Sequence, residues 1–105
     1  MQFLYKITPS RLGMVTQGPT NDEGTILTRH FNYLKSLADQ GIVLLFGRTQ
    51  NSDARTFGIA IFRAESEDEA RSIMNNDPAV QEGVMRAELY AYKVAGLNAR
   101  DWRID

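Results

Sequence analysis

His30 is the only histidine of this 105-residue sequence, and it lies within an apolar helical stripe. The stripe places hydrophobic residues at i, i+3, i+4 and i+7 spacings, namely Leu27, Phe31, Leu34, Leu37 and Ala38. Imidazole changes charge near neutral pH, so a histidine on this face would act in proton transfer if it lined a cavity. The alternative is a hydrogen-bonded structural residue within packed core, where an unpaired polar ring is costly.

A capping box predicts where the helix that carries His30 begins. Thr20 and Glu23 have the spacing at which the threonine hydroxyl accepts a backbone N–H and the glutamate reaches back to the cap. Gly41 is placed to end this helix after Ala38, because glycine adopts the left-handed conformation at low cost. Before it, alternation over 2–7 predicts a first strand, and the stretch 9–19 predicts a loop.

The second half of the sequence repeats the alternation of strand and helix patterns. In order it predicts a strand over 42–46, a turn at 51–53, a strand over 56–64, a helix over 66–76, a helical turn within 77–83 and a strand over 85–94. The helix again opens with a capping-box pattern, Ser66 to Glu69. A polar tail with one large side chain, Trp102, follows over 95–105.

This β-α-β-β-α-β order predicts an α+β, ferredoxin-like fold, in which two helices cover one face of a four-stranded antiparallel sheet. We expect the domain to span 1–94 and the tail 95–105. The strand over 56–64 is apolar on both sides, whereas a sheet face in water should be polar. We therefore expect an identical sheet from a second subunit to cover the free face. The alternative is that the first loop and the tail fold back over it.

Composition and charge exclude several classes of function. Twelve Lys and Arg, which are scattered, against thirteen Asp and Glu leave a formal net charge of −1, so no nucleic-acid partner is expected. The sequence has no cysteine, no metal-ligand spacing, and no glycine-rich or Walker loop, so neither a metal nor an organic cofactor is expected. Its longest apolar run is too short to cross a bilayer and its start lacks a secretion-signal layout, so we expect a cytoplasmic protein with no membrane partner.

Short elements between residues 27 and 94 follow one another in a distinctive order and spacing. They are His30-Phe31-Asn32-Tyr33-Leu34, Leu37, Gly41, Gly47, Gly58, the helix start Ser66-Glu67-Asp68-Glu69-Ala70, Asp77-Pro78 and Gly83. By these elements the chain resembles the YciI-like (YCII-related) family. The resemblance implies subunits paired as a dimeric α+β barrel, with a histidine and an aspartate as a catalytic pair in a cleft. On this sequence the pair corresponds to His30 and Asp77.

In such a pair the imidazole takes or delivers a proton, while the carboxylate fixes its tautomer and stabilises the cation. The similarity extends to muconolactone isomerase-like proteins and to lyases of chlorinated hydroxyquinols, although most relatives have no assigned reaction. This chain has Arg48 after Gly47 where many relatives have Gly-Pro, a longer first loop, and Ala79 after the proline, so no substrate is transferred. Asp77 before Pro78 is also an ideal helix cap, which is its alternative role.

Four further residues are candidates for substrate binding. Arg48 could bind a carboxylate or phenolate through two parallel hydrogen bonds, unless it is solvated or ion-paired. Tyr33, Tyr90 and Tyr92 could supply donors and aromatic walls, or be half-buried packing residues.

The leading hypothesis is a homodimeric lyase or isomerase that acts on a compact anionic or phenolic metabolite through His30 and Asp77. A rival is a non-catalytic metabolite-binding or accessory domain. A haem-binding barrel is a third interpretation, disfavoured by the lack of other histidines.

Overall fold

The computed structural model describes residues 1–104 of the chain. Within this part the elements are β1 Gln2–Pro9, α1 Gly13–Thr16, α2 Asn21–Asp39, β2 Val43–Arg48, β3 Gly58–Arg63, α3 Glu67–Asn75, α4 Pro78–Gln81 and β4 Met85–Tyr92. The strands form one sheet in the order β2-β3-β1-β4, and every neighbouring pair is antiparallel. The predicted ferredoxin-like α+β fold is therefore confirmed.

Alternation along β1 and β3 divides the sheet into two faces. Phe3, Tyr5 and Ile7 of β1 are buried, as are Ala60 and Phe62 of β3, which pair with Tyr5 and Phe3 respectively. Residues directly opposite one another in a sheet point to the same face, so these side chains form one layer. They pack with Leu34 of α2 and with Ala70 and Met74 of α3, and this layer is the hydrophobic core.

The predicted caps fix both ends of α2. The Thr20 hydroxyl accepts from the Glu23 N–H at 3.2 Å, and a Glu23 carboxylate oxygen accepts from the Thr20 N–H at 2.9 Å. After the helix, Gly41 has a φ of 78°, a conformation that favours glycine. At α3 the cap is only half of the predicted box, because Glu69 accepts from the Glu65 N–H and not from the cap residue.

The segment between β1 and α2 is more ordered than the loop predicted for it. It contains the single helical turn α1, which buries Met14. Arg11 donates two hydrogen bonds to Glu23, at 2.6 and 3.0 Å, and these bonds are the first cause of the lowering of the Glu23 pKa to about 2. A four-residue helix has too few turns for its hydrophobic period to be read from sequence, which explains the wrong prediction.

The face of the sheet away from the helices carries apolar side chains, as predicted. Across it, Leu45, Ile61, Leu4 and Tyr90 form one row of paired positions. Leu45 is 44% exposed and Tyr90 is 48% exposed, so the first loop and the tail leave much of this face uncovered, whereas Ile61 is 8% exposed and lines a pocket together with Val94 and Leu97 of the tail. The tail therefore covers this face only in part. We name the surface formed by Leu4, Leu45, Ile61, Tyr90 and Tyr92 the free face.

The tail has no helix or strand between residues 93 and 104. Its first turn away from the sheet is held by the Val94 N–H, which donates to the Gln2 side chain at 2.8 Å. Trp102 is 78% exposed. The last residue of the predicted tail, Asp105, lies outside the described residues.

Candidate active site

Asp77 is the most deeply buried charged residue that the structure describes, with none of its surface exposed. It caps α4, because its Oδ1 accepts from the Ala79 N–H at 2.9 Å and Pro78 occupies the first helical position. Both features follow from the sequence Asp77-Pro78-Ala79, since aspartate accepts free N–H groups and proline has none to leave unpaired. A buried carboxylate is costly unless hydrogen-bonded, so its remaining lone pairs need donors.

His30 supplies one of these donors from α2. Its Nδ1 lies 2.8 Å from both carboxylate oxygens of Asp77. Because a carboxylate only accepts, we assign the hydrogen of the imidazole to Nδ1, which leaves Nε2 as the basic nitrogen. The ring is partly exposed, and among residues 1–104 no side-chain nitrogen or oxygen is both buried and without a partner. Nε2, which has no hydrogen bond within this part of the chain, is therefore accessible from the cavity that His30 lines.

Tyr5 supplies the second donor and was not among the predicted site residues. Its hydroxyl donates to Oδ2 of Asp77 at 2.7 Å, and the side chain is fully buried. Burial raises the pKa of Tyr5 far above its ordinary value, and the negative charge of Asp77 raises it further. A signal was present in the sequence, because Tyr5 alternates with Phe3 and Ile7 on a buried face, where a hydroxyl needs a partner.

A cavity of about 640 Å³ adjoins this hydrogen-bonded group between α2, the sheet and the loop after β2. Its volume is in the range of sites that enclose a small molecule. Apolar residues dominate the lining, and Tyr5, His30, Arg48, Asn51, Ser52 and Thr56 supply the polar side chains. Asp77 does not line the cavity and lies behind the imidazole ring.

The structure brings Arg48 to the same cavity but not the three tyrosines predicted with it. The Tyr33 hydroxyl donates to the backbone carbonyl of Ile73 at 2.6 Å, so this side chain joins α2 to α3. Burial, followed by the charge of Asp77, raises the Tyr33 pKa to about 12. Tyr33 lies three residues after His30 on α2, and its residue type alone does not distinguish a side chain that lines the cavity from one that contacts the neighbouring helix.

Tyr90 and Tyr92 lie on the free face, opposite the cavity. They pair with Leu4 and Gln2 of β1, whose side chains point away from the helices. The Tyr90 hydroxyl donates to Glu88 at 2.6 Å. Within one chain they do not join the cavity that His30 lines, because alternation along β4 sends its tyrosines to the other side of the sheet, and their role in substrate binding stays a prediction.

The described residues offer no group of three or more His, Cys, Asp and Glu side chains arranged to hold a metal ion. Among residues 1–104 no helix is both long enough and apolar enough to span a membrane. The chemistry that the geometry supports is proton transfer by an imidazole whose orientation is set by a buried carboxylate.

Comparison with known proteins finds similar solved structures and one family. No curated protein gives a significant match. A solved structure, the 5-chloro-2-hydroxyhydroquinone dehydrochlorinase TftG of Burkholderia phenoliruptrix AC1100 in complex with 2,5-dihydroxybenzoquinone, is similar at 25% identity with a TM-score of 0.65. The alignment covers 89% of this chain and 94% of that chain. The model of the YCII-related domain matches residues 4–93, and the chain belongs to the YCII-related family.

Proposed function

We propose that this protein is an enzyme that needs no cofactor and that catalyses a lyase- or isomerase-type proton transfer on a compact anionic or phenolic metabolite. His30 acts as the general base and acid, and Asp77 orients it. The observation that carries the proposal is the hydrogen bonding of Nδ1 to a fully buried carboxylate at 2.8 Å, with the ring lining a cavity of about 640 Å³. In general, positioned acid–base groups contribute about a hundredfold to ten-thousandfold in rate.

The contacts of Asp77 support its role as a fixed partner. Three donors on three segments hold the carboxylate: the His30 ring, the Tyr5 hydroxyl and the Ala79 N–H. This arrangement fixes the tautomer that leaves Nε2 free to accept a proton, and it places a negative charge beside the imidazolium that then forms. Little reorganisation is needed when the charge develops, because the partner is already in place.

For a ring that carries hydroxyl groups and a halogen, the proposed steps are redox-neutral. Nε2 of His30 takes the proton of one hydroxyl and returns it to the halogen-bearing carbon, so that this hydroxyl becomes a carbonyl and the carbon becomes tetrahedral. A second hydroxyl then loses its proton to Nε2 as the carbon–halogen bond breaks. The products are a quinone, a halide ion and a proton. An isomerase would use the proton-transfer steps without loss of a leaving group.

The similarity to a dehydrochlorinase supports this class of reaction, because the alignment extends over most of both chains. Its bound 2,5-dihydroxybenzoquinone is a compact oxygenated ring, for which the cavity beside His30 has ample volume.

The test is turnover by the wild-type chain and by His30→Gln. Chloride release from 5-chloro-2-hydroxyhydroquinone measures elimination, and deuterium incorporation from D₂O into 2,5-dihydroxybenzoquinone measures proton transfer to carbon without a leaving group. We expect His30→Gln to lose the enzymatic rate, a fall of about a hundredfold or more, while its circular dichroism and sedimentation stay unchanged. Glutamine keeps a hydrogen bond but cannot titrate near neutral pH.

Arg29→Gln is the matched control, because Arg29 precedes His30 on α2, is exposed and does not line the cavity. It should keep the wild-type rate. Turnover by His30→Gln at the wild-type rate would remove His30 from catalysis. Binding of both probes by the wild type without any turnover would instead favour the non-catalytic metabolite-binding or accessory domain.

A further inference from the structure

The cavity beside His30 is lined by a positive charge, Arg48, which has no role in the proposed proton transfer. Of the side chains that line it within the described residues, Arg48 alone carries a permanent charge, and no aspartate or glutamate lines it. Arg48 itself is exposed, so this charge lies where the cavity meets solvent, and an unbalanced cation at the mouth of a cavity with apolar walls favours an anionic ligand.

Arg48 has no acidic partner among residues 1–104. The one hydrogen bond recorded for its guanidinium is a long one, from Nη1 to the Thr49 carbonyl at 3.5 Å, and none of the ion pairs of the described chain involves it. Arg55, in the loop that follows β2, differs, since it is paired with Asp53 and does not line the cavity. Most of the five N–H donors of Arg48 are therefore free to bind a ligand.

Two of the neutral polar side chains nearby, Asn51 and Thr56, are already engaged within the loop after β2. The Thr56 hydroxyl donates to the Asn51 carbonyl at 2.6 Å, and the Asn51 amide donates to Asp53 at 2.7 Å. These bonds order the loop that carries them, and they leave Arg48 as the strong donor that faces the cavity.

An aromatic wall lies in the same cavity. Phe31 of α2 and Phe46 of β2 contact each other edge to face, with ring centroids 5.7 Å apart and planes at 65°. Both line the cavity, and Phe31 is 54% exposed in spite of its size. Partly exposed aromatic side chains at a cavity are suited to packing against a flat, unsaturated ring.

The sheet register sets the backbone spacing between Arg48 and Tyr5, the residue of β1 that holds Asp77. Arg48 pairs with Gly58 and thereby with Ile7, whereas Tyr5, which holds Asp77, lies in the row of Phe46 and Ala60. The two rows are two residues apart along each strand, or roughly 7 Å at the rise of a strand. One six-membered ring with its substituents spans a distance of this order.

We propose that Arg48 binds an anionic oxygen group of a single aromatic or quinonoid ring, and that the substrate class of this site is therefore a one-ring anion. The proposal rests on the proposed function in one respect, namely that the opposite end of the ring faces His30. The anionic group is a ring carboxylate or a phenolate-type oxygen, which share the chemistry that a guanidinium recognises.

The test uses pairs of probes that differ in charge but keep the ring. NMR titration gives the dissociation constants of benzoate and benzamide for the carboxylate arm, and of 4-nitrophenolate and 4-nitroanisole for the phenolate arm, all at one pH. We expect the wild type to bind the anion of at least one pair about tenfold more tightly or better, in keeping with a hydrogen bond to a charged group. The pair that shows the preference identifies the anionic group.

Arg48→Gln should bring the ratio of the two dissociation constants in that pair close to one. Arg55→Gln removes the same charge seven residues further along the chain and should keep the ratio. The assignment is overturned if the wild type binds no anion, if it shows no preference, if Arg48→Gln keeps the preference or if Arg55→Gln loses it. Because binding is measured without turnover, these titrations separate the two proposals, and His30→Gln should keep the anion preference. An intact anion preference in a wild-type protein that turns over neither substrate would reject the catalytic role alone.

Discussion

Tyr5→Phe tests the contribution of the hydroxyl that donates a hydrogen bond to Asp77. The substitution removes one oxygen and keeps the ring, which packs edge to face against Phe62 at 5.6 Å between centroids. Core packing is therefore nearly unchanged, and the loss is that of the 2.7 Å hydrogen bond to the carboxylate.

The magnitude follows from the charge of the acceptor. A hydrogen bond to a charged group contributes about 1.5–3 kcal/mol to the free energy of unfolding, against about 0.5–1.5 kcal/mol for a neutral pair. Tyr33→Phe is the matched control, because the Tyr33 hydroxyl donates to a neutral backbone carbonyl at 2.6 Å. We expect Tyr5→Phe to lose about 1.5–3 kcal/mol and Tyr33→Phe about half of that.

The assay is urea unfolding at neutral pH, followed by circular dichroism. Fluorescence of the single tryptophan is a poor probe, because Trp102 is 78% exposed in the tail. With either substrate probe, Tyr5→Phe should also lower kcat by about tenfold with little change in KM, since the imidazole is held less firmly while the cavity is intact. An unfolding free energy within about 0.5 kcal/mol of the wild type, or a larger loss in Tyr33→Phe, would refute the reasoning.

Two further predictions concern assembly and pH. We propose that a second copy of the chain covers the free face. Sedimentation at micromolar concentration should therefore give a dimer, and Leu45→Lys should shift the protein towards monomer. A stable wild-type monomer would reject this pairing. Burial and the charge of Asp77 raise the pKa of Tyr33 from 10.0 to about 12, and that of Tyr5 also rises. The unfolded chain therefore releases these protons first, so stability is intact below about pH 10 and falls as pH rises through 12. Urea unfolding between these values, with phenolate absorbance as a second signal, checks the trend, and a constant free energy of unfolding would contradict it.

Much of the fold could be predicted because its determinants are local. Thr20 with Glu23, the positive φ of Gly41 and the Asp77-Pro78 cap each act over a few residues, and they mark where helices begin and end. Two-sided hydrophobicity of β3 also predicted a free face with exposed apolar residues. The short helix α1 has no comparable signal, because one turn is shorter than the period that would reveal it.

The candidate site was less predictable because its contacts are distant in sequence. The family resemblance paired His30 with Asp77, and the structure places them in contact. Nothing local reveals that Tyr5 reaches the same carboxylate from 72 residues away. The tyrosines of β4 show a second limit of sequence analysis. Alternation assigns residues to the two faces of a strand but does not state which face adjoins the cavity.

The contacts of β1, α2 and α4 with one carboxylate have a consequence for how the protein folds. Tyr5 and His30 lie 72 and 47 residues from Asp77 in the chain, and closing loops of this length costs entropy and slows folding. No short stretch of the chain can therefore form the site by itself. A fragment that lacks the segment around residue 77 would have an isolated imidazole with no fixed tautomer. Acquisition of chemistry during refolding should then coincide with the last cooperative step, rather than with the earlier appearance of helices.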